Sequence, residues 1–305
     1  MTAWTEPTSS STSYSGAHPA NNPAKAGTTN TSSEDPEAFA APPSGGPTTA
    51  NPQPFVVPPS GGPQPANTHR SAQNDLPDGV LLVDKPIGPT SHDIVHRIRR
   101  HFKIPKVGHG GTLDPMASGL LIILLGKATK LSDRFLASDK AYEGTMTLGQ
   151  TTDTLDAMGE VTSTRDFAHV TAEAIQAEMQ KRRGDSMQTP PMTSAVKVDG
   201  VPLYKHARKG KTVERKARLI RVFRFDLLSF TPPHAEFILV CTKGTYVRVL
   251  ASEVGESLQC GAHLTRLKRT RSGKLDIENA LPFHKIMELS GATLAQHVIP
   301  MREFL

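Results

Sequence analysis

The sequence predicts an α+β fold, and two observations carry that expectation. Several strand-like runs are joined by short turn signals, as in hairpins, where a parallel pair would need a crossover of a dozen or more residues. Helical patterns are interspersed among these runs and do not alternate with them one for one, which argues against a repeating βαβ sheet.

The elements follow in order from residue 79. VLLVD reads as a short buried strand, and DKPIGP as a turn held by two prolines. Ser91 then stands where a helix N-cap is expected, ahead of SHDIVHRIRRHF. In that helix Ile94, Val95, Ile98 and Phe102 recur at helical spacing, with His96, Arg97, Arg99 and Arg100 around the other faces. VGHGGTLDPMASG is a glycine-rich loop, LLIILL a buried strand over 120–125, and residues 129–137 a short helix. DKAYEGTMTLG alternates with period two, placing Tyr142, Gly144, Met146 and Leu148 on one face.

Residues 171–181 form an amphipathic helix, and SAVKVDG leads into a hairpin whose Asp199-Gly200 is a tight-turn signal. RVFRFDLLSF and AEFILVCTKG read as paired strands, TYVRVLASEVGESL as a helix, and RLKRTRSGKLDI as a basic strand or loop.

Composition divides the chain. The first 70 residues hold 13 of the 25 prolines with much Ser, Thr, Gly and Asn, and PPSGGP occurs at both 42–47 and 58–63. Such a segment buries too little apolar surface to offset its ordering entropy, so residues 1–75 are expected to be a disordered tail. Its first 70 residues set Lys25 and Arg70 against Glu6, Glu34, Asp35 and Glu37, a net −2, which leaves +8 for residues 71–305 within the overall +6. A basic folded part points to an anionic partner, most often nucleic acid. LLIILL is too short to span a bilayer, and no basic region followed by an apolar stretch marks a signal peptide. The two cysteines, Cys241 and Cys260, suit a reducing compartment and exclude both a disulfide framework and CxxC zinc sites.

Asp114 has two readings on residue types alone. It is a turn residue hydrogen-bonded to its own loop, or a reactive carboxylate presented at the loop tip. GHGG matches neither GxGxxG nor GxxxxGK[ST], and a strand follows where a phosphate site needs a helix N-terminus, which disfavours a phosphate cradle. His92 and His96 in HDIVH resemble the HExxH zinc pattern superficially, but Asp93 replaces the glutamate and no third ligand follows. His109 sits in the polar loop, where core packing does not explain it. Tyr142 is either a sheet residue or a platform for a base, a stacking contact worth about 1–3 kcal/mol. Arg248 interrupts an apolar helix face and needs a carboxylate or a path to solvent, because an unpaired buried charge costs several kcal/mol.

Taken together and in this order, VDKPIGPTS, GHGGTLDPMASGLL, KAYEGTMTLGQTTDTLDAMG, PPMTSAVKVDGVPLYKHARKG and CTKGTYVRVLASEVGESLQCGAH resemble the tRNA pseudouridine-55 synthase (TruB) family over residues 79–277. The resemblance implies a pseudouridine-synthase-type mixed, mainly antiparallel sheet flanked by helices and loops. It implies isomerisation of a T-loop uridine of tRNA to pseudouridine, with the T-arm as partner and no cofactor or metal. Asp114 would be the nucleophile, Tyr142 would stack on the target base and assist proton removal, and Arg248 would hold Asp114 ionised. His109 would stack in the T-loop, Tyr246 and Leu267 would bound the base pocket, and Lys85 would help order the site. The basic runs over 205–221 and 266–274 would contact phosphates.

The same resemblance assigns residues 76–280 to the catalytic domain and 281–305 to a short helical stub, not a full RNA-binding domain of the PUA type. Ala141 stands where a basic residue is common in the family. A cytoplasmic monomer is expected, with an organellar location as the alternative. The rivals are a catalytically silent RNA-binding or chaperone module, against which the intact Asp114, Tyr142 and Arg248 speak, and a metal hydrolase using His92 and His96.

Overall fold

The structure, a computed structural model, describes residues 76–305; the expected disordered tail over 1–75 lies outside the described residues. Strand β1 (Gly79–Lys85) is buried along nearly all its length. Helix α1 (Ser91–His101) follows, and a capping box starts it: Thr90 Oγ1 accepts from the Asp93 amide at 3.1 Å, and the Asp93 carboxylate accepts from the Thr90 amide at 2.9 Å. The cap is thus Thr90 and not Ser91. Ser91 lies inside the first turn, where its hydroxyl accepts from the Leu113 amide at 2.8 Å and donates to the Leu113 carbonyl at 3.1 Å. This pair ties α1 to the loop that carries Asp114.

Strands β2 (Val107–His109) and β3 (Ala117–Leu125) pair antiparallel on either side of that loop. His109 therefore belongs to a strand end and not to a flexible loop. The helix expected over 129–137 is a 3-10 segment (Gly126–Leu131) followed by α2 (Ser132–Ala137). Thr129 Oγ1 donates back to the Gly126 carbonyl at 2.8 Å and favours the tighter turn. Next come β4 (Lys140–Leu148), β5 (Gln150–Thr152), β6 (Val161–Thr164), α3 (Ala172–Lys181) and β7 (Gly184–Gln188). Burial along β4 does not alternate as its sequence does, since Ala141 and Thr145 are buried along with Gly144, Met146 and Leu148.

The hairpin of β8 (Lys197–Val198) and β9 (Val201–Pro202) turns at Asp199-Gly200, and α4 (Leu203–Ala207) follows. Then come β10 (Arg218–Thr231), β11 (His234–Cys241), α5 (Val247–Ser257), β12 (Ala262–Ser272) and β13 (Leu275–Asp276). Residues 281–305 supply β14 (Leu281–Pro282), α6 (Phe283–Glu288), α7 (Gly291–Gln296) and β15 (Ile299–Pro300).

The main sheet of the described residues runs β14-β1-β3-β12-β4-β11-β10-β7, and β2, β13 and β15 pair off this path. Its contacts are antiparallel except β1 with β14 and β3 with β12. The basic segment that reads as strand or loop is therefore a central strand, β12, lying between β3 and β4. Strand β3 is buried on both faces, which explains why LLIILL is apolar without alternation. Leu121, Ile123 and Leu125 join the large core with α1, α3 and α5, whereas Leu120, Ile122 and Leu124 pack with Val80, Leu82 and Phe135 on the opposite face. Among the described residues no helix is long and apolar enough to cross a membrane.

Gly119 lets β3 and β12 meet. Its φ is +99°, and a Cβ there would lie 2.4 Å from the Arg269 carbonyl oxygen. Gly119→Ala is therefore expected to cost on the order of 3 kcal/mol or more, read as a lowered Tm and denaturant midpoint. A variant as stable as the parent would contradict this packing.

Candidate active site

Arg248, the second residue of α5, is only 4% exposed, and its charge is met from several sides. Nη2 lies 3.2 Å from Asp114 Oδ2, and Nη1 lies 3.5 Å from Asp156 Oδ2. Nη1 also donates to Thr193 Oγ1 at 2.5 Å and to the Thr154 carbonyl at 3.3 Å, and Nη2 to the Thr193 carbonyl at 3.2 Å. One guanidinium thus joins three loops, those after β2, β5 and β7. The Asp114 backbone does form a turn, its carbonyl accepting from the Ala117 amide at 3.0 Å. The carboxylate, however, is directed to Arg248.

Neither residue type nor spacing marks Asp156 or Thr193 in the sequence. Asp156 is buried, and its Oδ1 accepts from Thr154 Oγ1 at 2.7 Å and from the Met158 amide at 3.0 Å. Its loop docks on β12, where the Ala157 amide donates to the Leu264 carbonyl at 2.9 Å and the Leu264 amide to the Leu155 carbonyl at 3.1 Å. The signal available in the sequence was a buried arginine in need of partners; TTDTLDAMG carries carboxylates at 153 and 156, and only the fold selects one.

Two clefts meet at Asp114 and Arg248, which line both. The smaller, about 380 Å³, also has Tyr142, Tyr246, Leu267 and Lys140 in its walls. This volume is in the range of small-ligand sites. The larger, about 800 Å³, has His92, His109, Met158, Tyr204 and Arg208. The structure therefore gathers Asp114, Tyr142, Arg248, Tyr246 and Leu267 around one space and sets His109 in the adjoining one.

Lys85 reaches neither wall. It is fully buried beneath the site, with Nζ donating to the Pro86 and Pro89 carbonyls at 2.8 and 2.9 Å. Tyr246 caps α5 and is held by Gln188, which accepts from its amide at 2.8 Å and donates to its carbonyl at 3.2 Å.

Electrostatics follow from this enclosure. Burial pushes the Asp114 carboxyl above the ordinary carboxylate range, Arg248 pulls it back, Asp156 raises it and Lys85 lowers it. The side chain keeps 40% of its surface open, so water softens the shift until something fills the cleft. Burial pushes the Tyr142 phenol up to about 12, which keeps it protonated at neutral pH. Burial likewise brings Lys85 and Lys140 down to about 8, and Asp114 opposes the shift at Lys85. His109 is lowered by burial and by the charges of Arg269 and His92, so its ring is neutral near pH 7, and its Nδ1 accepts from the Gly111 amide at 3.4 Å.

Other expectations change. Arg269, grouped with the phosphate contacts of 266–274, is 2% exposed and turned inward. Within the glycine-rich loop, a Cβ on Gly110 would lie 2.6 Å from Phe135 Cβ, so this glycine lets the backbone pass close to α2. His92 and His96 are exposed on α1, and among the described residues no three His, Cys, Asp or Glu side chains form a metal-holding group.

Comparison with known proteins adds the chemistry of relatives. Residues 99–247 match the TruB family pseudouridylate synthase N-terminal domain, and residues 248–305 match the tRNA pseudouridylate synthase B C-terminal domain. A tRNA pseudouridine synthase B of Opitutus terrae is 52% identical over 224 residues, covering 73% of this chain and 93% of that protein. One from Syntrophotalea carbinolica is 46% identical, covering 68% of each. Among solved structures, a chain of a Cbf5-Nop10-Gar1 complex superposes with a TM-score of 0.59 at 29% identity, over 75% of this chain and 61% of that one. This chain thus spans less than two thirds of that structural relative.

The charge arrangement sets a testable direction. Asp114 should titrate above the model-peptide value of about 3.9, and Arg248→Gln should move it further up, because the largest lowering influence is then gone. Carboxyl carbon NMR of the two proteins measures this; a downward shift in the variant would contradict the pairing.

Proposed function

The chain belongs to the TruB family of pseudouridylate synthases, and from that premise we propose that it converts the T-loop uridine at position 55 of tRNA to pseudouridine, with Asp114 as nucleophile on a base flipped into the smaller cleft. The observation that carries the reading is the Asp114–Arg248 ion pair at 3.2 Å in a cleft walled by Tyr142 and Leu267. A nucleophilic carboxylate must be ionised, whereas a base filling the cleft removes the water that keeps it so. Arg248 offsets that loss, by about 1–3 pKa units for a carboxylate beside a guanidinium.

The reaction is an isomerisation. The bond from C1′ to N1 breaks, the uracil turns, a bond from C1′ to C5 forms, C5 gives up its proton and N1 gains one. The balance closes without oxidant, reductant or cofactor. Tyr142, protonated at neutral pH, is better suited to hold the ring than to remove a proton directly. Tyr246 and Leu267 bound the base, and Lys85 supports Asp114 by charge from below.

Extruding a uridine from a folded loop costs a few kcal/mol. The neutral His109 ring in the adjoining cleft suits stacking in the vacated T-loop. Exposed cations of the segment 205–221 suit phosphate contacts, which position the RNA without reading its sequence.

Catalysis is assigned to residues 76–280, and residues 281–305 cover β1 with β14 and β15. The protein acts as a monomer on the T-arm. Both cysteines are buried and unpaired, in keeping with a reducing cytoplasm.

Incubation with an unmodified tRNA transcript, followed by chemical mapping of pseudouridine, is expected to show one modified T-loop site. Asp114→Asn should give none while still binding tRNA, and EDTA should leave the wild-type rate unchanged. Modification by Asp114→Asn, or by neither protein, would sink the assignment. Arg248→Ala should lower activity far more than RNA affinity; equal losses would make it an RNA contact.

A further inference from the structure

We propose that Arg269 is a positioning residue of this reaction, tying the Asp114 loop to the sheet position directly opposite Tyr142. The inference rests on the function proposed above. Arg269 lies in the middle of β12, directly opposite Gly119 of β3 on one side and Tyr142 of β4 on the other. Its Nε donates to the Leu120 carbonyl at 2.7 Å, its Nη1 to Thr112 at 3.2 Å and its Nη2 to Gly111 at 3.1 Å. Tyr142 stands directly across from Arg269 on the neighbouring strand, and both side chains line the smaller cleft.

The three carbonyls are all neutral acceptors, so Arg269 does not serve to neutralise a carboxylate. Its fork instead spreads its donors from three nitrogens over three backbone carbonyls, whereas the donors of a lysine all leave one atom. Two of those points, Gly111 and Thr112, stand just ahead of Asp114, while Ser91 holds Leu113 from the other side. The loop carrying the nucleophile is thus gripped on both flanks. Tyr142 faces Arg269 across the β12–β4 pair, so the strand that anchors the fork also sets the place of the aromatic ring. A single side chain therefore fixes the distance between the attacking carboxylate and the surface on which the base would stack. Displacement on the order of 1 Å at a reacting centre costs about a hundredfold in rate.

The test uses the full chain and unmodified tRNA transcript, with Arg269→Lys, Ser91→Ala and the double variant; Arg269→Gln replaces the lysine variant should the latter not fold by circular dichroism. Arg269→Lys is expected to lower kcat about 10- to 100-fold with KM and tRNA affinity within about twofold of wild type. The double variant should lose less than the product of the single losses, because both changes free the same loop. Unchanged kcat, a loss confined to KM, or losses that multiply fully would each overturn the proposal. A wild-type protein that makes no pseudouridine would instead overturn the function on which it rests, so the two failures are told apart.

Discussion

A guanidinium shared between two carboxylates is the interaction on which the site depends. Arg248 is too deeply buried to be solvated, so it must be surrounded by acceptors, and the fold provides them from three loops that are distant in sequence. Removing both carboxylates would leave its charge uncompensated in a medium that penalises it. The consequence is mutual: Arg248 pulls the Asp114 carboxyl toward its charged form, and Asp156 and Thr193 hold Arg248 from the other side.

The sheet supplies the geometry. Gly119, Arg269, Tyr142 and Leu239 stand in one row across four neighbouring strands, and Ala117, Leu267, Gly144 and Phe237 in another. Residues in such rows are spaced by the strand separation of about 4.8 Å, so their relative positions vary little with side-chain rotamer. Placing Tyr142, Leu267 and Arg269 on central strands therefore gives the smaller cleft rigid walls. Asp114, by contrast, sits on a loop, and the precision it lacks is restored by Ser91 on one flank and Arg269 on the other.

Cations outnumber carboxylates around this space. Lys85, Lys140, Arg248 and Arg269 are all buried, against Asp114 and Asp156. The excess is tolerated because backbone carbonyls solvate it: Lys140 donates to those of Phe135, Leu136 and Ser138, as Lys85 does to those of Pro86 and Pro89. A positive interior of this kind favours an anionic polymer over the mouth of the cleft.

Local patterns decided much by themselves. The α+β class, the doubly buried β3, the hairpin at Asp199-Gly200, the β10–β11 pair and helix α5 all follow from period, turn chemistry and β-branched content, which act over a few residues. So did the need of Arg248 for a carboxylate, and the motif resemblance supplied Asp114 as the first candidate. The choice between Thr90 and Ser91 as cap was not legible, because both side chains cap helices well and only Leu113, brought alongside by folding, claims Ser91. Asp156, Thr193 and the inward turn of Arg269 were equally hidden. A basic residue in a basic run looks solvated until neighbouring strands close over it, and burial, unlike period, is a property of the whole packed chain.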